Sequence, residues 1–265
     1  MLMLEPDTLA YRYGMSLYSS HSVPEQSSSN DLPSHDPTAV LIERLSRHAS
    51  LDAAATAALK ALPWQTADLG THRSGRAFDG LRDRPLIVLS GVLYRHAIVR
   101  SGARQVVALH LTGEIVGLDF AGPGNVSLGA HGPVTVGAFD PAAWRAAVAR
   151  HGAIRDALDR ELLTDLATAR AWLTNNCRRE AATRVAHLLC EVAHRVQTDA
   201  LPRLTQEFLS DCVGLTSVHT NRVLRRLEAM ECVRRDGDRY RIVDPQRMRE
   251  FAEFDPTYLT PVAPN

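Results

Sequence analysis

Residues 206–227 read Gln206-Glu-Phe-Leu-Ser-Asp-Cys-Val-Gly-Leu-Thr-Ser-Val-His-Thr-Asn-Arg-Val-Leu-Arg-Arg-Leu227. Leu209, Val213, Leu215, Val223 and Leu227 fall where two short crossed helices must bury apolar side chains, and Ser210 is small where the helices approach. Gly214 stands where the first helix needs a left-handed residue to end, and Thr216 is a good cap for the second. The spacing predicts a helix-turn-helix. The second helix, Thr216 to Leu227, then turns Ser217, Val218, His219, Asn221, Arg222, Arg225 and Arg226 away from the core. That set combines side chains able to read base edges with side chains that hold phosphates. A packed helical hairpin with a solvated arginine face is the plainer alternative, and the next segment weighs against it. Residues 232–243, Cys-Val-Arg-Arg-Asp-Gly-Asp-Arg-Tyr-Arg-Ile-Val, read as a hairpin with Asp236-Gly237 at its turn, a wing following the recognition helix. From 222 to 241 seven arginines face four acids, a local positive excess that fits a DNA-contact face.

The bulk composition adds limits. The chain has 265 residues, 45% hydrophobic and 23% charged, with 30 basic and 30 acidic side chains, so attraction to nucleic acid must come from local clustering. Nearly all the positive charge is arginine, Lys60 being the one lysine. Cys177, Cys190, Cys212 and Cys232 show none of the spacings of zinc fingers or secreted disulfide frameworks, which points to a reducing, cytoplasmic setting. No apolar run approaches the ~18 residues of a membrane span, and no membrane partner is expected.

Outward from the helix-turn-helix, the chain divides into five stretches. Residues 1–37 are rich in Ser and Pro and are expected to form a disordered tail. Residues 38–152 open with two short helices up to Leu62, closed by Pro63-Trp64. They continue with strands at 86–94, 104–111 and 134–139, separated by turns at Ser101-Gly102, Thr112-Gly113 and Gly122-Pro123-Gly124. Short strands at this spacing predict an antiparallel roll. Residues 153–176 carry Leu158, Leu162, Leu166, Ala169 and Leu173 at intervals of four, four, three and four, the seam of a two-stranded coiled coil and hence of a homodimer. Asn175-Asn176 interrupts that pattern. Residues 177–257 begin with a helix whose stripe is Val185, Leu188, Leu189, Val192 and Val196 and end with the wing, and 258–265 form a C-terminal tail. The fold class is α+β: an N-terminal antiparallel β jelly roll, a long dimerisation helix and a C-terminal winged helix-turn-helix.

Leu89-Ser-Gly-Val-Leu-Tyr-Arg95, Gly102 to Gly117, and Leu209-Ser-Asp-Cys-Val-Gly-Leu-Thr-Ser-Val-His-Thr-Asn-Arg-Val-Leu224, taken together over residues 40–257, resemble the Crp/Fnr family of bacterial transcription regulators. Arg179 to Glu191 and Glu253 to Leu259 look like the alphaproteobacterial branch of that family. The resemblance implies a cyclic-nucleotide-binding-like sensor roll, a palindromic double-stranded operator read by a homodimer, and RNA polymerase as a further partner. It also implies an effector pocket at Gly113 and Glu114. In the nucleotide-binding members an Arg-Ser pair follows that Gly-Glu and holds the cyclic phosphate, whereas here no arginine lies between Arg104 and Arg145. Cyclic AMP is therefore not the expected effector. The tail has no cysteines, so the family's iron-sulfur sensor is not expected either, and no cofactor is assigned. Where family members show Glu on the recognition helix, this chain has Val218, which can touch a thymine methyl but cannot accept from cytosine.

Two rival functions remain. A metal cupin would use His96, His110 and His131, but the His-x-His pair that lets ligands converge from one strand is missing, as are GxSxG, Walker and HExxH motifs. No metal site and no enzyme activity are expected. An interaction or scaffold protein that has kept the fold but lost DNA binding is the other, against which Arg222, Arg225 and the wing stand, and a jelly-roll protein binding a small molecule or metal without DNA is kept as the alternative. The stimulus could also act on Cys177 or Cys190 as a redox change.

Overall fold

Asp36 accepts from Thr38 N at 2.9 Å and opens helix α1, Pro37–Ser46, while Asp52 accepts from Ala55 N at 2.7 Å and opens α2, Ala53–Lys60. The computed structural model describes residues 36–70, 78, 80, 81, 83–117 and 126–260. Residues 1–35 of the expected N-terminal tail and the Gly122-Pro123-Gly124 turn lie outside the described residues, while Asp36 and Pro37, expected in the tail, cap and begin α1. Strand β1, Trp64–Asp68, follows α2, so Trp64 begins a strand where the sequence pointed only to a helix stop.

The sheet is antiparallel throughout. Its middle is a pair of thirteen-residue strands, β2 (Leu86–Ile98) and β5 (Ser127–Phe139), with β1 beside β5 and β3 (Arg104–His110) beside β2. The two-residue β4, Ile115–Val116, pairs with the start of β2. Both long strands exceed the expected segments, because the period-two pattern breaks in β5 opposite the register shifts at Val88/Ser90 and Ser90/Val92, and in β2 at the shift between Arg95 and His96. Gly91 sits in that irregularity with φ +89°, and a Cβ there would lie 2.4 Å from the Pro133 carbonyl oxygen, so the bulge admits glycine alone.

Between Pro141 and Pro202 the expected helical stretch is three helices. Asp140 caps α3, Pro141–Arg150, and the long helix α4 runs from Gly152 to Arg178. Helix α5, Ala181–Val196, follows after a break at Arg179-Glu180. Asn175 and Asn176 do not end α4. Asn175 Nδ2 donates to the Arg184 carbonyl at 3.1 Å and Asn176 Nδ2 to the Cys212 carbonyl at 3.1 Å, so both amides fasten the helix to its neighbours.

The helix-turn-helix consists of α6, Gln206–Val213, and α7, Ser217–Ala229. Strands β6 (Val233–Asp236) and β7 (Arg239–Ile242) form the wing, and α8 (Pro245–Ala252) with a 3-10 turn at Pro256–Leu259 closes the fold. The wing turn is Gly237-Asp238, one residue later than expected. Asp236 still pairs with Arg239, and Gly237 has φ +62°, as the first position of a tight two-residue hairpin turn requires.

Three apolar clusters result. One lies within the sheet around Val88, Leu93, Val134 and Val136. A second packs α1, α2, α3 and the start of α4 on Ile87, Ile115 and Phe139. The third is the winged-helix core, and it extends without interruption into Val92, Tyr94, Val106, Leu109 and Leu111 of the roll and Trp172 of α4. Roll and winged helix thus share one buried core.

Candidate nucleic-acid interface

The elbow forms as its residue types dictate. Gly214 takes φ +66° and its N–H donates to the Ser210 carbonyl, and Thr216 Oγ1 accepts from His219 N at 3.2 Å. Ser210 is buried, its hydroxyl donating to the Glu207 carbonyl at 2.6 Å and lying 3.3 Å from Ser217 Oγ. Leu209, Val213, Val223, Leu224, Leu227 and Thr220 are buried together, the last two apolar positions and Thr220 facing α5 and α6 from within α7. Ser217, Val218, His219, Arg222, Arg225 and Arg226 are exposed and Asn221 is half-buried. Val218 is 73% exposed, an unusual position for a β-branched apolar side chain on a helix that has an apolar core to join.

The three α7 arginines have no hydrogen-bond or ion-pair partner among the described residues, unlike Arg44, Arg184 and Arg195, which are all engaged. Arg234 on β6 and Arg239 on β7 are exposed as well. Ser217 is the exception within the expected set, since its hydroxyl is already beside Ser210. Positive charge on one face, with no internal anion to hold it, is what an external polyanion would neutralise.

The seam residues divide. Leu162 is 38%, Leu166 45% and Leu173 66% exposed, Ala169 is exposed, and Leu163 at 55% widens the stripe. Leu158 departs from the expectation. It is 6% exposed and packs in the cluster of Leu41, Leu45, Trp144 and Ile154, because at this height α1 and α3 already cover that side of α4.

Gly113 turns the chain with φ +86° between β3 and β4, and its N–H donates to the Val88 carbonyl at 2.8 Å. Glu114 borders a cavity of about 340 Å³ lined also by Arg44, Thr164, Asp165, Thr168 and Arg195, yet its carboxylate is already taken. Arg195 Nε donates to Oε1 at 3.0 Å and Nη2 to Oε2 at 2.5 Å, and Leu111 N–H donates to Oε2 at 2.9 Å. Burial by itself would raise the Glu114 pKa; the charge and hydrogen bonds of Arg195, with Arg44 and the Leu111 N–H, outweigh it and hold the group at about 2. The opposite case is Asp165, on the exposed rim of that cavity, where the protein packed around its carboxyl thins the water and the neighbouring Glu161 and Glu114 add repulsion, pushing the group up to about 7. Arg195 is the functional residue that sequence reading missed. Its spacing of four from Glu191 hints at an ion pair within α5, but nothing near either residue points to Glu114.

Among the described residues no group of three or more His, Cys, Asp or Glu is placed to hold a metal. His131 is stacked on Phe208 with ring centres 3.9 Å apart, and His96 is buried with its pKa lowered by desolvation and then by Arg104. Cys190 is buried and its thiol is pushed up to about 12 by desolvation, which removes the thiolate that redox sensing needs. Cys177 is exposed.

A Crp-like helix-turn-helix domain model matches residues 183–251, the segment from α5 through the wing to α8. The nitrogen fixation regulation protein FixK of Bradyrhizobium diazoefficiens is 26% identical over 171 residues, covering 62% of this chain and 72% of that protein. Residues 183–251 are thus a Crp-like helix-turn-helix domain, and the chain as a whole is similar to Crp/Fnr-type regulators. The fold agrees. The structure of FixK2 from Bradyrhizobium japonicum matches this chain with a TM-score of 0.63 at 20% identity, over 72% of this chain and 96% of the other. A CRP/FNR-family transcriptional regulator from Thermus thermophilus gives a TM-score of 0.52 at 18% identity, over 71% and 98%. The matched segment is of a DNA-binding type, the helix-turn-helix built by α6 and α7. No helix among the described residues is long and apolar enough to cross a membrane.

Proposed function

We propose that this protein is a Crp/Fnr-type transcription regulator that works in the cytoplasm as a homodimer, reads a palindromic double-stranded operator through α7 and acts on RNA polymerase there. The observation that carries the reading is the outer face of α7, where Arg222, Arg225 and Arg226 stand exposed and unpaired among the described residues beside the exposed Val218. Arg222 is the base reader, by a bidentate pair to guanine, and Val218 touches a thymine methyl; Arg225 and Arg226 hold phosphates, with His219 and the wing arginines at the groove edge. Asn221, half-buried, supports one further base contact.

The dimer seam is Leu162, Leu163, Leu166, Ala169 and Leu173. It lies on a 27-residue helix about 40 Å long, enough to hold two recognition helices one DNA turn apart. Neither cyclic AMP nor an iron-sulfur cluster is assigned to the roll: Glu114 is engaged within the chain, and no arginine follows it at the family spacing. The test is fluorescence anisotropy with genomic fragments bound to the purified chain, at several salt concentrations, alongside light scattering. A linear fall of log affinity with log salt and a dimeric mass support the reading. Affinity that is indifferent to sequence and salt would reject it in favour of a roll that binds a small molecule without DNA.

A further inference from the structure

Arg195 occupies a place that nothing in its local sequence foreshadows. It is the second-last residue of α5, a helix of the winged-helix domain, yet its guanidinium reaches into the roll. Its Nη2 donates to Glu114 Oε2 and also to the Leu109 carbonyl at 2.7 Å, its Nε to Glu114 Oε1, and its Nη1 to Glu191 Oε1 at 2.8 Å. Arg195 and Glu114 side chains are only 10% and 7% exposed. Glu191 in turn accepts from Trp172 Nε1 of α4 at 2.9 Å and from the Tyr258 hydroxyl at 2.7 Å. One guanidinium therefore joins the β3–β4 turn of the roll, the long helix and the C-terminal 3-10 turn.

A second anchor lies on another part of the same boundary. Gln105 Nε2 donates to the Cys212 carbonyl at 3.0 Å, Arg104 approaches Asp211 at 3.6 Å, and His131 stacks on Phe208. These contacts tie α6 to β3 and β5. Two separated anchors define an orientation, whereas one alone leaves a pivot. Helix α5 packs directly on α7, so whatever fixes the end of α5 fixes the recognition helix.

We propose that Arg195 is a positioning residue for operator recognition: by binding Glu114 as an internal ligand, it sets the angle of α7 relative to the roll without any small molecule at that position. The proposal rests on the DNA reading above. The charge geometry supports it. Both partners are desolvated, and without Glu114 the Arg195 guanidinium keeps only Glu191, on its own helix, so no charge then ties the end of α5 to the β3–β4 turn.

The experiment uses the full chain with Glu114→Gln, and with the double change Glu114→Gln and Arg195→Met, which leaves no unpaired guanidinium while Glu191 still accepts from Trp172 Nε1 and the Tyr258 hydroxyl; circular dichroism and a cooperative melt check that each variant is folded. The first measurement is small-angle X-ray scattering without DNA: an increased radius of gyration with an unchanged dimer mass is expected, and an unchanged scattering curve for both variants overturns the proposal whatever the DNA result. The second is affinity for palindromes whose half-sites are set at several spacings, and for a single half-site. Wild type is expected to favour one spacing by about tenfold, with both variants losing that preference and binding the single half-site within about twofold of wild type. An equal loss on every spacing and on the half-site would show a general structural role and overturn the positioning role. Wild type that binds none of these DNAs, with scattering still altered in the variants, would remove the operator reading and leave only the tether.

Discussion

Arg44 and Glu161 meet through two parallel hydrogen bonds, Nε to Oε2 at 2.9 Å and Nη2 to Oε1 at 2.8 Å, across 117 residues of chain. His48 Nε2 lies 2.5 Å from the same carboxylate, whose side chain is 1% exposed. The pair staples α1 to α4 beneath the roll. Glu161→Ala leaves two buried partners without their anion and is expected to cost about 3–5 kcal/mol in urea unfolding. Replacing Arg44, His48 and Glu161 together by apolar residues of similar volume should cost far less. A loss under ~1 kcal/mol for Glu161→Ala would show that the staple contributes little.

Asp165 and Glu114 predict opposite slopes of stability with pH. Asp165 is raised from 3.8 to about 7, so the folded chain holds a proton that the unfolded chain releases. Stability then falls as pH rises from about 4 to about 7. Glu114 is lowered from 4.5 to about 2, so its contribution is present above about pH 4.5 and lost as pH falls towards 2. Asp165→Asn is expected to stabilise the chain by about 1 kcal/mol near pH 8, a modest amount because the side chain is open to solvent. Near pH 4 the variant and wild type should unfold alike. An equal gain at both values would exclude titration of Asp165 as the cause.

The apolar stripe of α4 is buried at Leu158 and exposed at Leu162, Leu166 and Leu173, the residues of the proposed seam. Leu162→Glu with Leu166→Glu puts like charges into the seam and should give monomers by light scattering that no longer bind operator DNA. Leu158→Ala should instead cost about 2–5 kcal/mol of stability through the cavity it opens, with the dimer mass retained. A dimer that survives both glutamates would place the seam elsewhere.

On the outer face of α7, Arg222→Ala is expected to cost about 1–3 kcal/mol on the true operator and to relax preference at one base pair per half-site. Arg226→Ala should weaken all sequences alike and reduce the salt slope by about one. Equal losses on operator and scrambled DNA for Arg222→Ala would make it a phosphate contact, and specificity would pass to Val218 and Asn221.

The sequence by itself determined the helix-turn-helix, the wing and the antiparallel roll. Gly214 and Thr216 act through backbone conformation and capping hydrogen bonds within three or four residues, and the spacing of Leu209, Val213, Val223 and Leu227 records one face of each helix. Such signals are local, so they survive without knowledge of neighbours. Their limits are equally physical: the register shifts between β2 and β5 hid residues 127–133 of β5, and Gly237-Asp238 displaced the wing turn by one residue. Only the tertiary structure decided which leucines of α4 face outward. Leu158 and Leu162 have the same character and the same spacing, and differ because α1 and α3 cover one and leave the other open. The tertiary structure alone also gave Glu114 its partner, since Arg195 lies 81 residues away. An ion pair between such distant residues forms only once packing has removed both from water and left each as the other's nearest counter-charge.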